Sequence, residues 1–147
     1  MKPFIRMTRL PYQEAHQVHL VVVASNGRQM GEIEVYSNAE GLAALASKVR
    51  GFPKEEGDTV SWELGSERPE DHFAFYLRLR VFQVAASGRC GIELRLCNHR
   101  EPPDRAFVEF SIEALPSDLD RLADLLERFS REELRVLEWN VDDGELS

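Results

Sequence analysis

The stretch VHLVVVASNGRQMGEIEVY, from Val18 to Tyr36, sets the fold class of this chain. Its opening run, Val18 to Ala24, is rich in β-branched side chains, which suit a pleated strand better than a helix. Ser25-Asn26-Gly27 follows, and Asn-Gly is a strong hairpin signal because both residues tolerate positive φ. On the return, Ile33 and Val35 alternate with Glu32, Glu34 and Tyr36, so one face is apolar and the other meets water. A hairpin with one apolar face needs a second layer to cover it.

Working outward, Ser37-Asn38-Ala39-Glu40 has the form of a capping box. Leu42, Leu45, Ala46 and Val49 then recur at helical spacing, and Gly51 followed by Pro53 ends the helix. Upstream, Met7 to Tyr12 is predicted as a first strand, stopped at Pro11. Downstream, Thr59–Leu64 is a short strand containing Trp62. Phe73, Phe75, Leu77, Leu79 and Val81 are predicted to share the apolar face of one strand. Cys90, Ile92, Leu94 and Leu96 belong to its return, and Ala106, Val108, Phe110 and Ile112 to a further strand. A second helix is predicted after Pro116 with Ser117 as N-cap, burying Leu119, Leu122, Ala123, Leu126 and Phe129. Leu134 to Trp139 fits either a last strand or a helical extension, and Asp142 to Ser147 is read as an acidic tail beyond a single domain of residues 1–141.

The expected architecture is α+β: one antiparallel sheet of about six or seven strands with two main helices packed on one face. The turn in Ala24-Ser25-Asn26-Gly27-Arg28 echoes that in Ala86-Ser87-Gly88-Arg89. Two explanations stay open, shared turn chemistry or a duplicated unit of β-hairpin plus helix.

The 147 residues carry a net charge of −8. Residues 101–147 hold most of it, with 5 basic against 14 acidic side chains. That balance excludes a general nucleic-acid binder, although Tyr76, Phe82, Arg78 and Arg80 share one strand face. Glutamates on neighbouring strands are expected to pair those arginines. No apolar run approaches the roughly 18–20 residues of a membrane span. Cys90 and Cys97 point to opposite faces of one strand, which disfavours a disulfide and fits a reducing, cytoplasmic setting.

Chemistry-bearing patterns are sparse. Cys97-Asn98-His99, with His72, falls short of the four ligands of a zinc site, and Glu32 with Glu34 falls short of a calcium or magnesium site. Neither a nucleophile elbow nor a phosphate loop occurs. None of His16, His19, His72 and His99 has a sequence-adjacent partner that marks it as an acid or base. No metal, cofactor or catalytic residue is therefore expected. The acidic third supplies the leading functional expectation, a docking face for a basic protein formed by Asp118, Asp120, Asp124, Glu127, Glu132 and Glu133. The competing readings are plain solubility, a ligand-binding or enzymatic pocket near Trp62, His72 and His99, and self-association through Tyr76 and Phe82, which would make a homodimer.

Ala24-Ser25-Asn26-Gly27, Gly31-Glu32-Ile33-Glu34-Val35, Val49-Arg50-Gly51-Phe52-Pro53, and Gly65 after Trp62 resemble a group of small bacterial proteins, some grouped with toxin-immunity proteins. The resemblance spans residues 18–130 as a pattern and contains no catalytic signature. It implies an α+β cytoplasmic protein without enzymatic activity that inhibits a partner protein.

Overall fold

The computed structural model describes residues 2–11 and 17–141. His16 and the expected tail at residues 142–147 lie outside them. Strands β1 (Phe4–Leu10), β2 (Val18–Ser25) and β3 (Met30–Ser37) lead into helix α1 (Ala39–Val49) and β4 (Thr59–Gly65). Strands β5 (Tyr76–Gln83), β6 (Cys90–Cys97) and β7 (Phe107–Ala114) lead into helix α2 (Pro116–Ser130) and β8 (Val136–Asn140).

The α+β class holds, but the single sheet does not. The strands form two four-stranded antiparallel sheets, ordered β3-β2-β1-β8 and β4-β5-β6-β7. Each half of the chain runs β-β-β-α-β, and its fourth strand crosses over to pair with the first strand of the other half: β4 with β5, β8 with β1. The repeat is therefore larger than a hairpin plus a helix. It also has a different register from the sequence echo, because the echoed turns are β2–β3 and β5–β6, which occupy different places in the two halves. The echo is turn chemistry: Asn26 Oδ1 accepts from the Arg28 and Gln29 amides at 2.9 and 2.8 Å, and Gly27 sits at φ +96°.

Period-2 burial runs through both sheets. Ile5 and Met7, Leu20 and Val22, Ile33 and Val35, and Leu137 and Trp139 face inward from one sheet. Leu77 and Leu79, Ile92 and Leu94, and Phe110 and Ile112 do so from the other. The helices pack on each other, α1 also touching β4 and α2 touching β8, and their apolar stripes join one continuous core with both sheets. Cys90 and Cys97 are free thiols at opposite ends and on opposite faces of β6.

Several boundaries move. The first strand begins at Phe4 and ends at Leu10. Strand β5 begins at Tyr76, leaving Phe73 half exposed in the preceding loop. The N-cap of α2 is Leu115 with Pro116 as first helical residue, not Ser117. Asp118 makes that start possible, because its Oδ2 accepts from the Leu115 amide at 2.9 Å.

The arginines of the second sheet's outer face are engaged, as expected. Arg78 pairs with Glu93 at 2.5 Å, Arg95 with Glu109 at 2.8 Å and Arg89 with Glu113 at 3.2 Å. Burial alone would raise the Glu93 carboxyl, but hydrogen bonds from Arg80 and Arg78 outweigh it and hold it below its ordinary range. Arg80 lies over the Phe82 ring, which in turn covers Gly91. Tyr76 is buried and donates to Glu63 at 2.5 Å; that burial, then the carboxylate, pushes its pKa up to about 12. Tyr76 and Phe82 thus both make contacts within the molecule.

Candidate functional site

Two loops and one strand meet beside the outer face of the first sheet. The first loop, residues 66–75, is gathered around Asp71. Ser66 Oγ donates to Asp71 Oδ2 at 2.6 Å, and Arg68 Nε does so at 3.1 Å. The Ser66 hydroxyl, and then the Arg68 guanidinium, hold the Asp71 carboxyl below the ordinary carboxylate range. The second loop, residues 98–106, is gathered around Asn98. Its Oδ1 accepts from the Ala106 amide at 2.9 Å, and its Nδ2 donates to the Asp104 carbonyl at 2.8 Å. Each loop is held by one of its own side chains.

The loops and β3 enclose a cleft of about 440 Å³, lined by Glu32, Glu34 and Tyr36 of β3, Phe75 of the first loop, and Arg100 and Asp104 of the second. Two of these lining rings, Tyr36 and Phe75, belong to a run of four that extends beyond the cleft on either side. His19 and Tyr36 stack at 4.5 Å, Tyr36 and Phe75 lie 6.4 Å apart, and Phe75 meets Phe73 edge-on at 6.2 Å. Tyr36 is 41% exposed and Phe73 50%. Large rings left this open form an apolar patch that water does not favour. Three carboxylates and one guanidinium border it, with Glu34 also 2.8 Å from His19 Nε2.

Most of the acidic residues named for a docking face make contacts within the chain. Asp118 is buried, where it caps α2 and pairs with Arg121 at 3.2 Å. Asp120 accepts from the Gly51 amide at the end of α1, 2.8 Å away. Asp124 and Glu127 bind Arg50, the C-cap of α1, at 2.6 and 2.8 Å. Glu127 also binds Arg131 at 2.7 Å, and Glu133 contacts Arg128 and Arg131. Glu132 is exposed just after the helix, with φ +62°. The row Asp120, Asp124, Glu127 thus joins α2 to the C-terminal end of α1. Asp118→Ala is expected to cost about 1–2 kcal/mol of folding stability, measured by urea unfolding, through the lost cap.

Trp62, His72 and His99 are placed apart from this cleft. Trp62 is half-buried against the core. His72 is exposed at φ +55°, and His99 reaches the Ser66 carbonyl at 2.6 Å. None of the three lines the cleft. Among the described residues, no group of three or more His, Cys, Asp or Glu side chains is arranged to hold a metal ion. Among them, no helix is long and apolar enough to cross a membrane. No family model, curated protein or solved structure matches the chain.

The aromatic residues of the cleft escaped the sequence reading for identifiable reasons. Phe73 and Phe75 continue the period-2 pattern of β5 and so look like inward strand residues. Tyr36 carries the one usable signal, an aromatic ring beside Glu32 and Glu34 on the exposed face of its strand.

Proposed function

We propose that the protein is a non-enzymatic binding module that holds a basic segment of a partner protein in the aromatic cleft. The observation that carries this reading is the run of rings from His19 through Tyr36 and Phe75 to Phe73, whose two middle members line the cleft with Glu32, Glu34 and Asp104. A ring face attracts a guanidinium or ammonium, and a nearby carboxylate neutralises it. Exposed aromatics with a charged rim are also the composition of an interface hot spot. The resemblance to proteins grouped with toxin immunity adds the role of an inhibitor that covers a basic site on its target, in the bacterial cytoplasm.

The test titrates isotope-labelled protein with a tetra-arginine peptide and with a tetra-glutamine control, following amide shifts. Shifts are expected at Glu34, Tyr36, Phe75 and Arg100 with the arginine peptide alone, weakening as salt rises. Tyr36→Ala should weaken binding by about two- to fivefold, the worth of about 0.5–1 kcal/mol from one exposed cation–π contact. Shifts confined to Asp120, Asp124 and Glu127 would return the docking face to α2. No shifts with either peptide would end the basic-segment reading.

A further inference from the structure

Cys97 closes β6, and His99 stands two residues later in the loop. The backbone at His99 is left-handed, φ +52°, and the imidazole Nδ1 is 3.8 Å from Cys97 Sγ. Its Nε2 lies 2.6 Å from the carbonyl oxygen of Ser66. A carbonyl can only accept, so Nε2 carries a proton. In the neutral ring, Nδ1 therefore turns its lone pair toward the thiol. The pair can exist as thiol and imidazole, or, after one proton moves from Sγ to Nδ1, as thiolate and imidazolium. The Ser66 carbonyl keeps its hydrogen bond in both forms and fixes the ring, as the third group does in activated-nucleophile arrangements.

The same strand provides a contrast. Cys90 is fully buried on the inner face, and its Sγ is 3.4 Å from the Gly88 carbonyl, which cannot take a proton. Burial pushes its pKa up. Around Cys97, the titratable and charged neighbours belong to the outer face. Tyr76 stands opposite it on β5 with its hydroxyl on Glu63. Arg95, two residues earlier, is held by Glu67 and Glu109. Cys97 itself is 4% exposed, against 0% for Cys90.

We propose that Cys97 and His99 form a site of thiol oxidation by small hydroperoxides. The thiolate sulfur attacks one peroxide oxygen, an S–O bond forms and the O–O bond breaks. Sulfur is oxidised by two electrons to the sulfenic acid, and the peroxide is reduced. The leaving hydroxide, or alkoxide from an organic hydroperoxide, takes the proton from imidazolium Nδ1 and departs as water or an alcohol. The site is independent of the basic-segment reading, because neither residue lines the cleft.

The test exposes folded protein to hydrogen peroxide, removes the peroxide with catalase, unfolds the chain in excess dimedone, which traps sulfenic acids, and quantifies both cysteine peptides by mass spectrometry. Cys97 is expected to be labelled at least about tenfold faster than Cys90. His99→Asn removes the base while keeping a residue that tolerates left-handed backbone. It should slow Cys97 labelling by about tenfold or more and leave Cys90 unchanged. The sign separates a base from a packing residue: loss of mere packing would expose Cys97 and speed its labelling. If Cys90 also becomes reactive in that variant, the chain has opened, and His99→Gly takes its place with the same expectation. Equal rates at the two cysteines in the native protein would overturn the proposal. So would a Cys97 rate that is unchanged or faster in the folded variant.

Discussion

Trp139→Ala is expected to lower the unfolding free energy by about 3–5 kcal/mol, a large share of the roughly 5–15 kcal/mol typical of one domain. Trp139 is fully buried although it stands near the end of the described chain, on the short strand β8. It lies opposite Ile5 of β1, and its indole Nε1 donates to the Asp118 carbonyl of α2 at 2.9 Å. One side chain therefore joins the last strand, the first strand and the second helix. Most of the cost comes from the cavity and the apolar area exposed. The lost hydrogen bond adds only about 1 kcal/mol, since a helix carbonyl also serves its own helix. Trp139→Phe separates the terms: it retains much of the volume and should cost about 1–2 kcal/mol. Urea unfolding measures both variants, with Trp62 as the remaining fluorophore. A loss below about 1 kcal/mol for the alanine variant would mean that β8 does not seal the first sheet.

That strand also marks where sequence reasoning stops. Leu137 and Trp139 are two apart, as in a strand, while Leu134 and Leu137 are three apart, as in a helix, so periodicity alone leaves the segment open. What decides it is a partner more than a hundred residues away, the free edge of β1. The same holds for β4. Alternation shows that Val60, Trp62 and Leu64 share a face, but it cannot show that this strand pairs with β5 instead of returning to β3. Local signals were readable: the Asn26-Gly27 turn, the first helix and its glycine stop stand where the residues put them, although the helix is capped by Asn38, whose Oδ1 accepts from the Gly41 amide, and not by the Ser37–Glu40 box. The count of sheets depends on non-local pairing and was not. The acidic third follows the same division. Its net charge is visible in the sequence. That Asp124 and Glu127 meet Arg50, the C-cap of a helix that ends some seventy residues earlier, is a property of the α1–α2 crossing.

Gly65→Ala is expected to cost about 3 kcal/mol, and its comparison with Gly51→Ala identifies the cause. Both glycines are left-handed, at φ +77° and +74°, so alanine pays a similar backbone penalty of about 1 kcal/mol or more at each. Their surroundings differ. A Cβ at Gly51 would have no atom within 4 Å, whereas one at Gly65 would overlap the backbone carbonyl of Phe75 and crowd its ring. A side chain can rotate out of the way, but a carbonyl moves only with its chain. The extra cost at Gly65 therefore reports the close approach of β4 to the end of the 66–75 loop. That approach also positions Phe75 between Tyr36 and Phe73 in the cleft. Gly65→Ala should accordingly weaken tetra-arginine binding together with stability. Gly51→Ala should lose stability alone, and Tyr36→Ala should lose binding alone. Equal stability losses in the two glycine variants would show that the Phe75 carbonyl is not a fixed wall. Unchanged peptide binding by folded Gly65→Ala would separate the cleft's ring alignment from this contact.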